Sequence, residues 1–221
     1  METKNKADWN KKREAIYTLR DNIAKLKYQI AKDLHSLNEK DKLTALVIRI
    51  MIRTSERVGN FDSAKKGHFG ITQLKPKHVY INLNYVNLTY KAKSGVMQDK
   101  TFYDVNAASL LKILKKRDNT YIFTTKDGFR IMPDRVNRYL ADFDVTSKDI
   151  RGYNSNRFVV SELMKTGRTE EKDRKKVFNS VVKNVAEKIG HTPATLKNHY
   201  LLPEIQEYFY KYGSIGRIKI N

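Results

Sequence analysis

A histidine and a tyrosine near the C-terminal end of the chain are spaced to serve one reaction on phosphorus. His191 belongs to the run Gly190-His191-Thr192-Pro193, and Tyr200 follows it by nine residues. A tyrosine hydroxyl can attack phosphorus and form a covalent ester that preserves the energy of the broken bond. Its free pKa of about 10 makes it a weak nucleophile at neutral pH, so such a reaction also needs cations or a proton acceptor nearby.

Two spaced arginines and a lysine upstream can supply those cations. Arg57 begins the run Arg57-Val58-Gly59-Asn60, Lys93 lies in a predicted hairpin, and Arg151 ends the run Lys148-Asp149-Ile150-Arg151. The guanidinium group presents a rigid fork of donors that matches two phosphate oxygens. One well-placed arginine contributes on the order of 10³–10⁵ to the rate of other phosphoryl transfers. The set therefore predicts transesterification of a phosphodiester.

The charge of the chain indicates a polyanionic partner. The 221 residues include 44 Lys and Arg against 24 Asp and Glu, a net charge of +20 that is spread along the chain with no basic tail. Such a surplus favours nucleic acid first and an anionic membrane second. No apolar stretch approaches the roughly 20 residues of a membrane span. We therefore expect double-stranded DNA as the partner, held in a groove lined by several elements.

Several other classes of function are excluded by composition or motif. The chain has no cysteine, which excludes disulfides, thiolate metal sites and cysteine catalysis. It has no Walker loop or dinucleotide fingerprint, and His68 and His78 lack the spacing of metal ligands on one helix face. The polar N-terminus shows no secretory signal, so an intracellular, DNA-associated protein is expected.

Apolar spacing along the chain predicts a mostly helical α+β fold with a small β-hairpin region that carries Lys93. Apolar residues three or four apart indicate one or two amphipathic helices over residues 9–37, and Asp41 is expected to cap a helix at 42–53. Alternating residues indicate strands at 79–83, 86–90 and 100–105. A helix capped by Asn106 is predicted at 106–116, and a short strand at 121–124. Further helices are predicted at 133–143, 148–165, 171–189 and 203–210, where Ser147 caps the helix at 148–165 and Gly190 closes the helix at 171–189. A short helix that begins at Thr192-Pro193 is expected to carry Tyr200.

Four segments, in order, resemble motifs of the poxvirus-type and bacterial type IB DNA topoisomerases. Arg57-Val58-Gly59-Asn60 resembles their Arg-x-Gly-Asn segment, and Tyr90-Lys91-Ala92-Lys93-Ser94-Gly95 resembles their lysine-bearing hairpin. Lys148-Asp149-Ile150-Arg151 is similar to their Lys-Asp-Phe/Leu-Arg motif. The end of the chain, from Gly190 through Tyr200 to Pro203, resembles their Gly-His/Asn-Thr-Pro…Tyr-Ile-x-Pro ending. The resemblance covers residues 40–205 and implies the catalytic fold of DNA breaking-rejoining enzymes.

This resemblance implies a role for each motif residue. Arg57 and Arg151 would grip the scissile phosphate, and His191 would donate to a non-bridging oxygen. Lys93 would act as general acid to the leaving 5′-oxygen, with Lys91 as its rival and Lys100 as a further hairpin lysine. Tyr200 would form a 3′-phosphotyrosyl intermediate. Relaxation of supercoiled DNA would need no ATP, metal or other cofactor, and the enzyme would be a monomer.

Three departures and several weaker candidates accompany the motifs. Ala92 stands where the family usually has glycine before the hairpin lysine, and Gly152 stands where it often has threonine. Asn198-His199 precedes the tyrosine where Lys-Ser or a similar pair is common. None of the three removes a catalytic group. Weaker candidates for contact with the phosphate backbone are Lys65, Lys66, Lys91, Lys148, Arg157 and Lys197.

The predicted organisation is a single catalytic domain, residues 1–221. It comprises a helical lead-in at 1–40, the catalytic core at 41–205 and a tail at 206–221. The N-terminal β-rich clamp domain usual in the family has no counterpart in this sequence. We therefore expect either the catalytic half of a longer protein or a naturally short family member.

Two alternatives remain beside the topoisomerase. A tyrosine site-specific recombinase or integrase shares the same catalytic groups, but typically has histidine three residues before the second arginine, where this chain has Lys148. A basic DNA-binding domain without catalysis is the third possibility. Replacing Tyr200 by phenylalanine separates it from the two enzymes, because a passive binder has no activity to lose.

Overall fold

The computed structural model describes residues 2–216, with the side chains of residues 2–8 left aside. The chain divides into two compact units. We call Asn22–Ser147 the sheet unit; the tyrosine unit consists of the stretch up to Asp21 and the segment from Lys148 onward. Part of the predicted C-terminal tail, residues 217–221, lies outside the described residues, and the predicted single-domain organisation stays a prediction.

The α+β, mostly helical fold class is confirmed. Helix α1 contributes its first part to the tyrosine unit and its remainder to the sheet unit. The bounds in the first half of the chain are α1 Glu2–Asp33, α2 Glu39–Thr54, α3 Phe61–Lys65, β1 Val79–Asn82, β2 Tyr85–Lys91, β3 Met97–Tyr103, α4 Val105–Lys115 and α5 Pro133–Ala141. Those that follow are α6 Ser147–Lys165, α7 Glu171–Ile189, α8 Pro193–His199 and α9 Pro203–Tyr212.

The strands of the sheet unit form one antiparallel sheet in the order β1-β2-β3. Its register pairs Val86 with Phe102 and Leu88 with Lys100. Alternate residues of β2, Val86, Leu88 and Tyr90, are buried, which gives the sheet one apolar face. Helix α2 is buried along most of its length because nine of its residues, from Leu43 to Thr54, are shielded from solvent. The predicted hairpin region and the buried helix are therefore confirmed, but the returning strand predicted at 100–105 runs from Met97 to Tyr103, and Val105 already begins α4.

Two predicted helix caps are wrong. Asn38 rather than Asp41 caps α2, because its side chain accepts from the backbone N–H of Lys40. Asp41 instead lies inside the first turn, where its carboxylate binds Arg135 at 2.6 Å. Helix α4 is capped by Asp104, one of whose carboxylate oxygens accepts from Ala107 N and the other from Arg49 at 2.7 Å. In both cases the true cap lies earlier, at a residue with extended backbone, as capping requires.

The strand predicted at 121–124 is also wrong. Thr124 forms only one isolated bridge, with Arg130, so the two segments do not extend into a ladder. The guanidinium of Arg130 lies between the rings of Phe61 and Tyr121, 4.0 and 3.4 Å from their centroids. Stacking of the Arg130 guanidinium on these rings holds the segment as a loop where one short strand was predicted.

The tyrosine unit is helical, and polar contacts hold both ends of its helix α9. Phe178 of α7 packs on Phe209 of α9, with ring centroids 6.1 Å apart. Arg13 of α1 binds both carboxylate oxygens of Glu204 at 2.7 and 3.1 Å, which fixes the start of α9. At the other end of α9, Arg174 donates to the carbonyl of Tyr210 at 2.9 Å. Helix α9 is thus anchored within its own chain at both ends.

No helix within residues 2–216 combines the length and apolarity that a membrane span needs. This finding concerns only the part of the chain that the structure describes.

A buried histidine gives the sheet unit a pH-dependent stability. His78 accepts a hydrogen bond on Nδ1 from Lys75 N at 3.1 Å and packs on the ring of Phe69 at 4.5 Å. Burial, together with the positive charges of Lys77 and Lys75, lowers the pKa of His78 from 6.5 to about 4. Between about pH 4 and pH 6.5, His78 therefore stays neutral in the folded protein but is protonated in the unfolded chain.

We expect wild-type protein to lose, through His78, about 3 kcal/mol of unfolding free energy as pH falls from 7 to 4. The unfolded chain binds a proton below pH 6.5 while folded His78 stays neutral down to about pH 4, so stability is fully present above pH 6.5 and declines between those values. Urea unfolding of wild type and His78→Asn across this range measures the effect. The asparagine keeps an acceptor for Lys75 N but does not titrate, so equal pH slopes in both proteins would contradict the assignment.

Candidate active site

Three predicted catalytic residues contact one another in the tyrosine unit. Arg151 Nε donates a hydrogen bond to Nε2 of His191 at 2.9 Å. The rings of His191 and Tyr200 lie 4.4 Å apart between centroids, at an interplanar angle of 38°. An arginine, a histidine and the predicted nucleophile therefore form one continuous cluster, although they are separated by up to 49 positions in the sequence.

The guanidinium of Arg151 is fixed by the end of a helix. Its side chain starts from a buried stretch of α6, and the residue is only 3% exposed. Nη2 donates at 2.6 Å to the carbonyl oxygen of Ile189, the last residue of α7. The final carbonyls of a helix lack partners within the helix and carry partial negative charge, so they suit a buried cation. The position of Arg151 is therefore set by α7 as well as by its own helix.

His191 is placed by the residue that ends α7. Gly190 adopts the left-handed conformation, with φ of 68°, and the N–H of His191 returns to Ala186 O at 2.8 Å. This confirms the predicted closing glycine. Because Nε2 accepts from Arg151, which is always a donor, the neutral ring carries its proton on Nδ1. In this arrangement His191 cannot donate through Nε2, and a proton donated to phosphate must come from Nδ1 or follow a change of this contact.

Tyr200 lies at the end of α8 rather than inside it. The helix ends at His199, and Tyr200 has φ of −128° and ψ of −36°, outside the helical range. The predicted helix start is confirmed, because Thr192 accepts from Thr195 N and Pro193 occupies the first turn. The prediction that the helix itself carries Tyr200 is corrected by one residue, because the chain turns back there and Leu201 N bonds to Leu196 O.

Asn156 holds the backbone on both sides of the tyrosine. Its amide Nδ2 donates to the carbonyl of Tyr200 at 2.7 Å, and its Oδ1 accepts from Leu202 N at 2.8 Å. The amide group also donates to Gly152 O at 2.8 Å, within α6. A single fully buried side chain therefore ties the segment around Tyr200 to the helix that carries Arg151.

Sequence reasoning missed Asn156. The available signal was the run 150–156 of α6, which contains one aliphatic residue and yet is buried throughout. A helix stretch without apolar periodicity is normally assigned to the surface. Buried polar groups need hydrogen-bond partners, and here the partners come from a segment more than 40 positions away, which no local pattern shows.

A basic recess borders the tyrosine within the same unit. Lys148, predicted as a phosphate contact, lies on its wall together with Tyr200. Its lining residues are Lys12, Ile16, Lys148, Asp149, Gly152, His199 and Tyr200. Three cationic or titratable basic side chains against one carboxylate give this recess a surface suited to an anion.

Arg57 is positioned in the sheet unit by a close approach of two backbones. Its carbonyl accepts from Ile71 N at 2.9 Å. Gly59 has φ of 106°, and a Cβ at Gly70 would overlap the Cα of Gly59. The glycine of the Arg-x-Gly-Asn segment is therefore required both by its backbone conformation and by the absence of space. Gln73, which is completely buried, fills the space beside Gly59.

The hairpin places Lys93 in an ordered turn between β2 and β3. Ala92 N bonds to Val96 O at 2.8 Å, and Gly95 N bonds to Ala92 O at 3.0 Å. Ser94 takes the left-handed conformation with φ of 64°. Ala92, the departure from the family pattern, is buried and its methyl group fits without displacing the turn. Lys93 is exposed at the start of this turn.

The three hairpin lysines differ in their surroundings. Lys91 and Lys93 are both exposed. Lys100 has a side chain only 14% exposed and pairs with the buried carboxylate of Glu56 at 3.9 Å. A lysine already engaged with a buried acid is poorly placed to reach a substrate. The candidates for a general acid in the hairpin are thereby narrowed to Lys93 and Lys91.

The weaker phosphate-contact candidates lie at the surface of their units. Lys65 is exposed at the end of α3 and pairs with Asp62 at 3.9 Å, and Lys66 follows it. In the tyrosine unit, Arg157 lies over the Phe158 ring at 4.9 Å, and Lys197 Nζ reaches Asn179 Oδ1 at 3.3 Å. Their contact with DNA stays a prediction.

Among the described residues, His, Asp and Glu side chains form no group of three or more that could hold a metal ion.

Comparison with known proteins gives a family match over nearly the whole chain. The family model "Eukaryotic DNA topoisomerase I, catalytic core" matches residues 1–211. The DNA topoisomerase 1B of Acanthamoeba polyphaga mimivirus is 26% identical over 204 residues, which cover 85% of this chain and 61% of that protein. The chain therefore spans less than two thirds of the length of this curated relative.

Two solved structures share the fold. A XerH site-specific recombinase bound to difH substrate, a pre-cleavage complex, superimposes with a TM-score of 0.50 over 80% of this chain and 48% of that chain. A post-cleavage complex with palindromic difH gives a TM-score of 0.51 over 86% of this chain and 49% of that chain. Both are 16% identical, so the likeness concerns the fold.

We expect Asn156→Ala to lower the unfolding free energy by about 2–3 kcal/mol, because it leaves a buried carbonyl at Tyr200 and a buried N–H at Leu202 without their partner. Chemical unfolding measures the loss, and amide hydrogen exchange should be faster at Leu202. The matched control is Asn179→Ala, an exposed asparagine on α7, with an expected change below about 0.5 kcal/mol. Equal exchange at Leu202 in wild type and Asn156→Ala would contradict the assignment.

Proposed function

Because the chain belongs to the family of the eukaryotic DNA topoisomerase I catalytic core, we propose that it relaxes supercoiled double-stranded DNA as a type IB topoisomerase. The observation that carries the proposal is the contact of Arg151 with His191 and of His191 with Tyr200. A phenol with a cation and an imidazole beside it matches the needs of a reversible attack on phosphorus.

The proposed reaction is an exchange of one phosphoester for another. The Tyr200 hydroxyl loses its proton to solvent water as its oxygen attacks phosphorus, the bond to the 5′-oxygen breaks, and the tyrosine becomes joined to the 3′-phosphate. Lys93 gives its proton to the departing 5′-oxygen, since an alkoxide is a poor leaving group. The same steps in reverse reseal the strand, because the phosphotyrosyl bond retains the energy of the original ester.

Arg57 and Arg151 are proposed to bind the phosphate oxygens on which negative charge builds up. The support for Arg151 is its low exposure, since a guanidinium shielded from water interacts more strongly with phosphate than an exposed one. Its orientation is already fixed by Ile189 O and His191, so little reorganisation is needed during the reaction. We propose that His191 donates its Nδ1 proton, or a second proton gained on Nε2, to a non-bridging oxygen.

We propose that the reaction requires neither ATP nor a metal ion. The five side chains, Arg57, Lys93, Arg151, His191 and Tyr200, would supply the nucleophile, the acid and the positive charge. The energy of the broken bond would remain in the covalent intermediate, so no second energy source is needed.

Double-stranded DNA is the proposed partner, and a monomer is the proposed active form inside the cell. The net charge of +20 supports binding to the phosphate backbone. The monomer is supported by α9, which is anchored to its own chain through Glu204 and through Arg174. The N-terminal clamp domain that the family resemblance suggests stays a prediction.

Site-specific recombination is the second candidate, since two solved structures that share this fold are of a recombinase. Lys148 argues against it, because it occupies the place of the histidine in the recombinase pattern His-x-x-Arg. The two functions differ in their products: a topoisomerase changes linking number on any plasmid, whereas a recombinase exchanges strands between specific sites.

We expect wild-type protein to relax supercoiled plasmid in EDTA without ATP, and Tyr200→Phe to lose on the order of 10³-fold or more of that rate, because it lacks the nucleophile. Gel electrophoresis of plasmid topoisomers measures the rate. Tyr212→Phe, which removes an exposed hydroxyl from α9, is the matched control and should relax as wild type does. Relaxation by Tyr200→Phe at the wild-type rate would refute the assignment, and loss of activity only when EDTA is present would refute metal independence.

We expect Lys93→Ala to slow single-turnover cleavage of an ordinary phosphodiester by about 10²–10⁴-fold, the range of general acid catalysis. A substrate with a 5′-bridging sulfur has a better leaving group and should be cleaved by the variant at close to the wild-type rate. Lys91→Ala, the neighbouring exposed lysine, is the control and should show no such rescue. Equal slowing of both substrates by Lys93→Ala would remove it from the acid role and favour Lys91.

A further inference from the structure

We propose that Glu56 is a positioning residue that fixes the place of Arg57 relative to the lysine-bearing hairpin, an inference that rests on the proposed cleavage reaction. Glu56 lies outside the four motifs and has no part in the chemistry described above. It stands directly before Arg57 in the chain and is bound by residues of both β2 and β3.

The carboxylate of Glu56 is buried among polar partners from the hairpin. The residue is 2% exposed, and its Oε2 accepts a hydrogen bond from the hydroxyl of Tyr90 at 2.7 Å. The ammonium of Lys100 lies 3.9 Å from Oε1. Among the described residues, Oε1 has no hydrogen-bond partner. The carboxylate is therefore held by one strong hydrogen bond and one longer ion pair.

The backbone on the Glu56 side is fixed by the end of α2. Ser55 turns the chain out of the helix with φ of 61°, and its N–H bonds to Met51 O at 2.8 Å. Glu56 N bonds to the hydroxyl of Thr54 at 3.3 Å. Because Arg57 follows at once, any displacement of Glu56 also displaces the start of the arginine segment.

The partners on the hairpin side lie close to the turn that carries Lys93. Tyr90 is three positions before Lys93 on β2, and Lys100 lies on β3 opposite Leu88. The paired strands behave as one piece because their hydrogen-bond ladder runs from Tyr85 to Lys91. Tyr90 and Lys100 both bind the carboxylate of Glu56, so both strands of the hairpin are linked to the residue that precedes Arg57.

Stability alone explains this arrangement poorly. Removing a carboxylate and an ammonium from water costs several kcal/mol, and replacement of a buried ion pair by apolar residues of similar volume is often neutral or stabilising. An oxygen without a hydrogen bond adds to that cost. A charged and hydrogen-bonded pair fixes the relative orientation of the groups that it joins, which an apolar contact does not do. A small misplacement of a catalytic group, on the order of 1 Å, can cost about 10²-fold in rate.

The test is single-turnover cleavage of a duplex that traps the covalent Tyr200 product. We expect Glu56→Ala to slow cleavage by about 10–100-fold, with DNA affinity within about threefold of wild type. Glu56→Gln should lose less, because its amide oxygen still accepts from Tyr90. Part of the Glu56→Ala defect should disappear on the 5′-bridging sulfur substrate, since the misplaced group includes the general acid.

The matched control is Glu39→Ala at the opposite end of α2. Glu39 is likewise held by polar partners, since it binds Arg117 at 2.6 Å and the backbone N–H of Lys126 at 2.7 Å. Its loss tests whether the removal of any hydrogen-bonded acid near an end of α2 slows cleavage. The assays are run well below the melting temperature of each variant, so that partial unfolding does not contribute to the differences in cleavage rate. Cleavage by Glu56→Ala at the rate of Glu39→Ala would overturn the inference.

Amide hydrogen exchange separates failure of the inference from failure of the proposed function. In the absence of DNA, we expect Glu56→Gln and Glu56→Ala to exchange faster at residues 57–60 and 90–97, and Glu39→Ala to leave both segments unchanged. If wild-type protein does not cleave DNA, the proposed function fails while this measurement still decides whether Glu56 holds the two segments. Unchanged exchange in both segments would overturn the positional role.

Discussion

The buried guanidinium of Arg151 is the constraint on which the tyrosine unit depends. A cation so far from water is tolerated only where fixed acceptors meet it, and here they are Ile189 O and the imidazole of His191. That need explains why α7 must end at Gly190, and why α6 is polar and yet buried around the arginine. Tyr200 is then placed by its ring contact with His191.

The sheet unit positions its residues by a different kind of interaction. Arg57 owes its place to two backbones that approach without side chains between them, at Gly59 and Gly70. The hairpin owes its place to a hydrogen-bond ladder and to buried polar contacts at Tyr90. Close packing resists displacement in all directions, whereas a hydrogen bond selects one direction, and the sheet unit combines the two.

The parts of this structure that could be predicted from sequence are those encoded locally. Apolar spacing predicted the long helices. Gly190 ends α7 where expected, because a glycine in the left-handed conformation closes a helix without contacts to distant segments. The caps at Asn38 and Asp104 were missed because several polar residues near each helix start were equally suitable. Asn156 and Glu56 could not be found, since the groups that bind them come from distant segments and only the folded chain brings them together.

The amide of Asn156 binds main-chain atoms on both sides of residue 200 and leaves the phenol itself untouched. The hydroxyl of Tyr200 can therefore travel only along the path that rotation about its own side-chain bonds allows. Because its backbone is fixed, the phenol has a short and predetermined reach. In the reaction proposed above, the register of the DNA on the protein would then select the phosphate that is attacked, and the accuracy of cutting would depend on how the duplex is bound.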